Sequence, residues 1–576
     1  MKDYEDVTAD WQKYLDGVKY NNALTPNYYD SVDTNLDFFD GKQWKNVESN
    51  GMPTPVFNII KRAITFFVAS ITSSKTKIKL EPLEYSEDEA QQTEQMVQQD
   101  EASKIATSEI DNLFEKFKMD NRIRDALFKA AKMGDVAAHL YFDKRKKPYG
   151  GAFADIEGEI CFELVNGTNV FFGNANNCST DKHIQPYIGI SGRDMTKNLK
   201  AEAKAYNNEI DGIISDGKTE NEAGSMSDIE IESDEYGKSL YVIVYSYDPD
   251  TDTIKVSKCT ESAYMYKDID TELSEYPVTL LAWEKQENQY HGRALCTDII
   301  PNQIFINRMF AMVMYHLMMA AFPKTAYNAD KIASISNMIA AQIAVKGMAP
   351  GENIANIIHQ FEPGNMSAQI VQVIELVFQY TKEMLGINDS TLGNINPEQA
   401  SGVAIASTVR QASIPTENTK ANLYEWTEDI GRILVDMMGT YYGQRPIIIE
   451  DKGNRKSITY DFSIFKQMWL KVKCDVGPST YWSEIAQVQM LDNLLNRNDP
   501  LFGMIDYVET LPANYANREL IERLKDNLNK DQTKQREYEI MAQIIEQFVP
   551  PEMQPQIMQM LQGEQQNIGN TNTLPQ

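Results

Sequence analysis

The sequence predicts an α+β protein, mainly helical, with a mixed first half and a helical second half. Three observations carry this reading. Up to about residue 133, apolar side chains recur at helical spacing; between 136 and 247 the period shortens to that of strands; beyond 298, long helical patterns return, broken by proline and by a Gly/Asn/Ser loop. With 576 residues, 42% of them hydrophobic and 10% aromatic, the chain can build several cores and is no disordered polymer.

Residues 3–22 read as a helix. FFDGKQW, 38–44, ends on a glycine turn before the proline-bounded MPTPVFN, 52–58. Residues 59–74 form a second helix, apolar on more than one side. The stretch 87–119 begins as a Gln/Glu-rich solvated helix and then acquires Ile110, Leu113, Phe114 and Phe117, the stripe of one buried face. Another helix, 121–133, follows. After Gly134, the runs 136–142, 160–165 and 241–247 are β-branched or aromatic and read as strands. Between them 207–238 is acidic and Ser/Gly-rich, which predicts a mobile surface insertion.

In the second half, 298–321 is a helix about 36 Å long. Pro323, Pro350 and Pro363 bracket a small module, 322–364, with a short apolar helix around 332–345. A helix over 365–385 leads into the loop 386–400, and a long helix from about 401 to 442 leaves it. Pro415 removes a backbone donor and clashes with the preceding turn, so a kink is expected there. RPIIIE, ITYDF and MWLKVKCDVG read as strands, 481–562 as mainly helical, and the Gln/Asn/Thr-rich 563–576 as a disordered tail.

Charge and motifs exclude several function classes. The net charge is −28, from 83 acidic against 55 basic residues, which argues against a surface that wraps nucleic acid. Five cysteines (Cys161, Cys178, Cys259, Cys296, Cys474) stand far apart without a CxxC and read as reduced thiols. The opening MKDYEDVTAD carries no basic segment followed by an apolar run, so no mark of secretion is expected. The apolar stretch 304–322 approaches the length of a membrane span, but Asn307, Arg308 and His316 lie within it, and a helix packed on protein is expected instead.

One catalytic motif matches on paper. GIISDGKT, 212–219, fits GxxxxGK[ST], yet a polar helix precedes it and an acidic stretch follows, where a phosphate cradle needs a buried strand before and a helix after. A packaging ATPase built on this motif is the enzymatic alternative, and no cofactor or metal is expected otherwise. His139, His183, His291, His316 and His359 are isolated and read as structural or surface residues. Asp248 and Asp250 read as turn formers in DPDTDT.

Three ordered blocks carry a resemblance. FFDGKQW followed by PTPVFNIIKRAI resembles the opening "fy-x-G-x-QW … rP-x-x-x-N-x-i" of tailed-bacteriophage portal proteins, the head-to-tail connectors. YHGRALCTDIIPNQIFINRMFAMVMYHLMMAAFPK, 290–324, is similar to their entry to the stem, "G-x-g-x-x-x-d-x-x-x-x-Q-x-x-iN". MLGINDSTLGNINPEQASGVAIAS, 384–407, is similar to their passage "GI-x-x-x-x-lG-x-x-x-x-x-SG-x-Ai". The acidic tract 207–238 matches no block, and the C-terminal helices match only by position.

The resemblance implies a non-enzymatic ring subunit with wing, stem, clip and crown, usually in twelve copies, at one capsid vertex of the virion and assembled in the host cytoplasm. Residues 1–297 become an N-terminal wing domain, 298–321 the first stem helix, 322–364 the clip, 365–385 the second stem helix and 386–400 the tunnel loop. Residues 401–480 return to the wing and 481–562 form the crown. Implied partners are other copies of the chain, double-stranded DNA moving through the channel, the terminase large subunit, a head-tail adaptor, and the major capsid and scaffolding proteins, with no membrane.

The residues bear on this independently. A helix apolar on several sides, with Met309, Met312, Met314, Met318 and Met319, needs partners on several sides; a ring of copies or the core of a monomer supplies them equally well. Gln303 and Asn307 are an i, i+4 pair that can bond each other or an adjacent chain. Asn388, Asp389, Ser390, Thr391, Asn394, Asn396 and Gln399 offer polar contacts without a base, suited to DNA that slides; the alternative is a long helix-to-helix connection. Lys324, Lys331 and Lys346 are candidates for steering phosphate near the mouth of the channel, or are simple solvated lysines.

Overall fold

Side-chain caps start the first three helices. Thr8 Oγ1 accepts from Trp11 N (3.4 Å) ahead of α1, Ala9–Ala23; Asn27 Oδ1 accepts from Tyr29 N (2.9 Å) ahead of α2, Tyr28–Phe39; and Asn58 Oδ1 accepts from Lys61 N (2.9 Å) ahead of α3, Ile59–Ile71. The structure, a computed structural model, describes residues 8–49, 51–72, 76–82, 92–215, 237–321, 325–332, 344–351, 353–360, 368–384, 416–451, 454–467 and 470–476. All of these belong to one of two compact units, Met1–Glu398 with Ser407–Gly477; the other unit, Gln399–Ala406 with Pro478–Gln576, lies outside the described residues.

The chain continues through β1 (Thr76–Pro82), α4 (Gln92–Phe117), α5 (Met119–Met133), β2 (Asp135–Asp143), β3 (Glu159–Asn166), β4 (Val170–Phe172), β5 (Tyr187–Met195) and α6 (Thr196–Ala205). After the acidic tract come β6 (Lys238–Asp248), β7 (Thr253–Cys259), β8 (Tyr264–Asp270) and β9 (Val278–Ala282). Then follow α7 (Leu295–Ala321), β10 (Thr325–Tyr327), β11 (Ile358–Gln360), α8 (Ala368–Met384), α9 (Glu417–Tyr441), β12 (Gln444–Asp451), β13 (Asn454–Asp461) and β14 (Leu470–Val476). This is the expected α+β mixture. A five-stranded antiparallel sheet runs β4-β5-β6-β7-β8, and a three-stranded one runs β3-β2-β9. β1 pairs with β14, Thr76 opposite Val476, so the end of the described chain is stitched to its beginning.

The main core lies where α3, α4, α5 and α9 meet β1, β2 and β14. Ile60, Ile64 and Phe67 of α3, Ile105 and Ile110 of α4, Leu127 of α5, and Trp426, Ile430 and Leu434 of α9 are buried in it. The expected stripe on α4 is there, Ile110, Leu113 and Phe114 buried and Phe117 packed against them. Helix α3 buries one stripe, Ile60, Ala63, Ile64, Phe67, Val68 and Ile71, rather than several sides. Helix α9 passes so close to the β1–β14 ribbon that a Cβ on Gly431 would stand 2.8 Å from Val472 Cγ1 and 3.0 Å from Ile78 Cδ1.

Some elements differ from the sequence reading. Helix α2 was not anticipated: its three aspartates mask an i, i+4, i+8 stripe of Tyr28, Val32 and Leu36, which packs on Met133. Helix α7 starts three residues before 298 and takes Pro301 inside it. Helix α9 starts just after Pro415, which with its expected kink lies outside the described residues. In 322–364, β10 pairs with β11; residues 344–345 are not helical, and 333–343 lie outside. The crown 481–562, the tail 563–576 and the interior of the acidic tract, 216–236, also lie outside.

Helix α9 is tied to the sheets by polar contacts along its length. Asn422 Nδ2 donates to Ala282 O (3.3 Å), Asp429 Oδ2 accepts from Thr279 Oγ1 (3.2 Å), and Asp436 Oδ2 accepts from the backbone N–H of Ser274 (2.7 Å) and of Glu275 (3.2 Å). Burial pushes the Asp436 carboxyl above the usual carboxylate range, the two backbone donors only partly opposing it. The folded chain therefore holds a proton there more tightly than the unfolded chain. That contribution to stability is present at low pH and is lost as pH rises through the folded value. Asp436→Asn keeps an oxygen for both donors and removes the buried charge. The variant should melt above the parent at neutral pH, with the gap closing as pH falls through the folded value of the carboxyl; thermal unfolding followed by circular dichroism over a pH series checks this, and a gap independent of pH contradicts it.

Candidate functional site

The helix α7 leaves the core along a line of buried amides. Gln303 and Asn307, 0% and 2% exposed, are bonded to each other, Gln303 Nε2 to Asn307 Oδ1 at 3.0 Å. Gln303 Nε2 also donates to Phe57 O (2.8 Å), its Oε1 accepts from Ile59 N (2.9 Å), and Asn307 Nδ2 donates to Gln43 Oε1 (2.6 Å). Gln43 in turn donates to Phe38 O (2.9 Å), Trp44 Nε1 to Pro55 O (2.8 Å), and Asn58 Nδ2 to Phe39 O (2.8 Å). The motif residues of FFDGKQW, PTPVFN and NQIFIN are thus partners in one network. It fixes the first half of α7 against the turn before α3. Gln303 and Asn307, expected at an interface between copies, are occupied within the chain.

A second polar cluster stands just ahead of α7. His291 lies between Asp135 Oδ2 and Asn21 Oδ1, with one ring nitrogen 2.9 Å from each. Asp135 Oδ1 accepts from the Tyr28 hydroxyl (3.1 Å), and Oδ2 also from Gly292 N (3.0 Å). Tyr290 OH donates to Asn21 Oδ1 (3.1 Å), and the His291 ring stacks on Tyr28 at 3.7 Å between centroids. Burial, and then the Asp135 charge, hold the Tyr28 hydroxyl well above its ordinary pKa. Gly134 and Gly292 face each other here. A Cβ on Gly134 would stand 2.2 Å from Gly292 O, and one on Gly292 would stand 2.5 Å from Gly134 O. Gly134 also has φ +104, which favours glycine. The sequence reading called His291 structural, and it is, but neither Asp135 nor the paired glycines were singled out. The signal was the Tyr-His-Gly triplet directly before a helix.

Beyond Ala311 the helix leaves the core. Met312, Met314, Tyr315, Leu317 and Met318 are exposed, Leu317 by 56%, while Met309 and Met319 are half-buried. Helix α8 packs antiparallel beside it, Phe310 against Phe378 (6.2 Å) and Asn302 Nδ2 near Met384 Sδ (3.9 Å). Its outer side repeats the pattern: Val373, Leu376, Tyr380 and Met384 are exposed at spacings of three and four, while Ile374 and Thr381 are buried. The hairpin is therefore apolar on both flanks and covered on neither. By length and composition α7 could cross a membrane. However, Cys296, Ile299, Gln303, Ile306, Asn307 and Ala311 are buried in protein, which leaves a free part of roughly 15 Å, half of a bilayer's hydrocarbon core of about 30 Å.

The other expected positions separate. Asn388, Asp389, Ser390, Thr391, Asn394, Asn396 and Gln399 lie outside the described residues, as does Lys324. Lys331 and Lys346 are brought together by a backbone bond, Lys346 N to Lys331 O at 2.8 Å. In the phosphate-loop motif, the element before Gly212 is the helix α6 and a turn, not a strand, and Ile213 is buried with Leu199, Ala203 and Met265; residues 216–219 lie outside. His139 is buried between Glu163 Oε1 (2.7 Å) and Tyr245 OH (2.8 Å). Asp248 Oδ1 accepts from Asp250 N (3.2 Å), as a turn former does. Among the described residues, no three His, Cys, Asp or Glu side chains converge on a metal position.

The family model of the phage P22-like portal proteins matches residues 200–571, more than half of the chain. No curated protein matches it.

The two polar clusters should differ in weight. Asp135→Ala leaves the buried Tyr28 hydroxyl, the His291 ring and the Gly292 amide without their shared partner and should cost about 3 kcal/mol or more. Gln303→Ala leaves a carbonyl and an amide without partners and should cost about 1–3 kcal/mol. Denaturant midpoints of the two variants measure both, and a loss below about 1 kcal/mol for Asp135→Ala would refute the greater weight of its cluster.

Proposed function

The chain belongs to the phage P22-like portal protein family, and we propose that its copies form a twelve-membered ring with α7 and α8 as the stem that lines or surrounds the channel. As a portal protein it forms an oligomeric ring at a capsid vertex, the passage for DNA during packaging and ejection and the docking site for terminase and the head-tail adaptor. Portal proteins are structural, so the hydrolysis that drives packaging belongs to the terminase. The observation that carries the stem assignment is the hairpin with two uncovered apolar flanks. A head-to-tail ring needs two different faces on each copy, and a hairpin exposed on both sides supplies them.

The further assignments follow from the same reading. Residues 1–297 and 401–480 form the wing, 322–364 the clip with Lys331 and Lys346 near its mouth, 386–400 the tunnel loop and 481–562 the crown. Met312, Met314 and Met318 meet a neighbouring copy, with Met309 and Met319 at the edge of that contact. A ring of twelve carries roughly −336 in all, which opposes tight adhesion of DNA as it is driven through, while the tunnel loop's uncharged amides and hydroxyls permit sliding. Assembly takes place in the host cytoplasm, with scaffolding and major capsid proteins as partners.

End-on electron micrographs of the purified protein test the ring, and its absence at high concentration removes the proposal. Because Leu317 and Met318 are already exposed in the single chain, Leu317→Glu with Met318→Glu should alter monomer stability by less than about 0.5 kcal/mol and abolish rings; rings that persist would refute the stem contact. Deleting 388–396 should leave ring assembly intact and impair DNA packaging or retention. Normal packaging by that deletion would refute the tunnel loop.

A further inference from the structure

One loop has the opposite sign to the rest of the molecule. Lys144, Arg145, Lys146 and Lys147, in the β2–β3 connection, are the only run of three or more consecutive basic residues in a chain of net charge −28. All four are exposed at the end of the hairpin. The nearest acids sit at its base: Asp143, the last residue of β2, is 3.0 Å from Arg145 Nε, and Glu159, the first of β3, is 3.8 Å from Lys146 Nζ. Lys147 pairs with the exposed Glu157 (2.8 Å), Lys116 of α4 also meets Glu159, and Lys144 makes no ion pair among the described residues. Asp155 is the remaining acid of the loop.

Four adjacent like charges repel, and exposed ion pairs of this kind are weak enough to be exchanged for another anion. The −28 of the whole chain does not neutralise the tip, since charges more than about 8–10 Å away are screened at moderate salt. The anion is identified by what surrounds the cations. Phe153 is the one exposed large apolar side chain among the described residues of the loop, so the apolar centre of a protein-protein contact is missing. Flexible cations without an apolar centre suit a phosphate backbone.

We propose that the β2–β3 loop, through Lys144, Arg145 and Lys147, is a sequence-independent contact for the phosphate backbone of double-stranded DNA, separate from the tunnel loop. The choice of DNA as the polyanion rests on the portal function. Each phosphate contact contributes about 0.9 to the slope of log K against log salt. The loop therefore makes a contact that holds at low salt and lets go readily.

The test compares assembled wild-type protein with Lys144→Gln/Arg145→Gln/Lys147→Gln, leaving Lys146 to its contacts with Glu159 and Cys161. Binding of a fluorescent blunt-ended 40-base-pair duplex is followed by anisotropy over a series of KCl concentrations. The triple variant should lower the salt slope by up to roughly 2.7 per loop engaged, with unchanged thermal melting. A control, Lys19→Gln/Lys197→Gln/Lys200→Gln, should leave the slope as it was. An unchanged slope in the triple variant overturns the proposal, and so does an equal fall in the control. An intact DNA isotherm with failed incorporation into procapsids also overturns it, assigning the loop to an acidic protein. Micrographs of the same samples report ring formation separately, so a wild-type protein that bound DNA through this loop without forming rings would sink the portal assembly and not the loop.

Discussion

The buried pairing of Asp135 with His291 is the constraint on which the placement of the long hairpin depends. It joins four parts of the chain that are distant in sequence: Asn21 of α1, Tyr28 of α2, the first residue of β2, and the segment directly before α7. Hydrophobic contacts alone would let these parts slide against one another, because apolar burial is not directional. A buried carboxylate whose two oxygens are bonded to a phenol, an imidazole ring and a backbone amide admits one arrangement only. The reciprocal approach of Gly134 and Gly292 works in the same direction, since neither position tolerates a side chain. The direction in which α7 leaves the core is therefore set before its first turn.

From that root the helix changes character along its length. Its first half is held by amides that bond to Gln43, Phe57 and Ile59, Phe310 packs on Phe57 and Phe378, and from Met312 on most of its side chains are exposed. Rigid at one end and uncovered at the other, the hairpin is built to meet something outside the chain. Side chains such as Met312, Leu317 and Met318, about half exposed, each leave roughly 1 kcal/mol of burial unrealised. A handful of these on each of two flanks is enough to favour association, even between copies of like net charge whose repulsion is screened beyond a Debye length.

Much of this was legible in the sequence, and what was missed has physical reasons. The period change after Gly134, the stripe on α4 and the stem-like pair of helices all rest on local patterns, which a single sequence displays. Helix α2 was hidden because Asp30, Asp33 and Asp37 diluted its apolar spacing, although Asn27 was a usable cap. The pairing of β1 with β14 joins residues 400 positions apart, and nothing local announces it, while β4 is only three residues long. Gln303 and Asn307 were read correctly as a bonded pair, but their spacing could not say whether the remaining bonds lay within the chain or beyond it; Gln43 and the Phe57 carbonyl settle that. His291 was likewise recognisable as structural without its partner Asp135, which sits at a strand start that pattern alone makes unremarkable.

The same contrast explains why motif residues and contact residues divide as they do. The glutamine, tryptophan and asparagine positions of FFDGKQW, PTPVFN and NQIFIN are spent on a polar network in which each donor has a designated acceptor, so a change of residue type leaves a group unpaired. The free flanks of α7 and α8 require only apolar bulk, which methionine supplies with little demand on geometry. A sequence can therefore announce the root of the hairpin through fixed polar residues while its exposed flanks show only as a hydrophobic pattern.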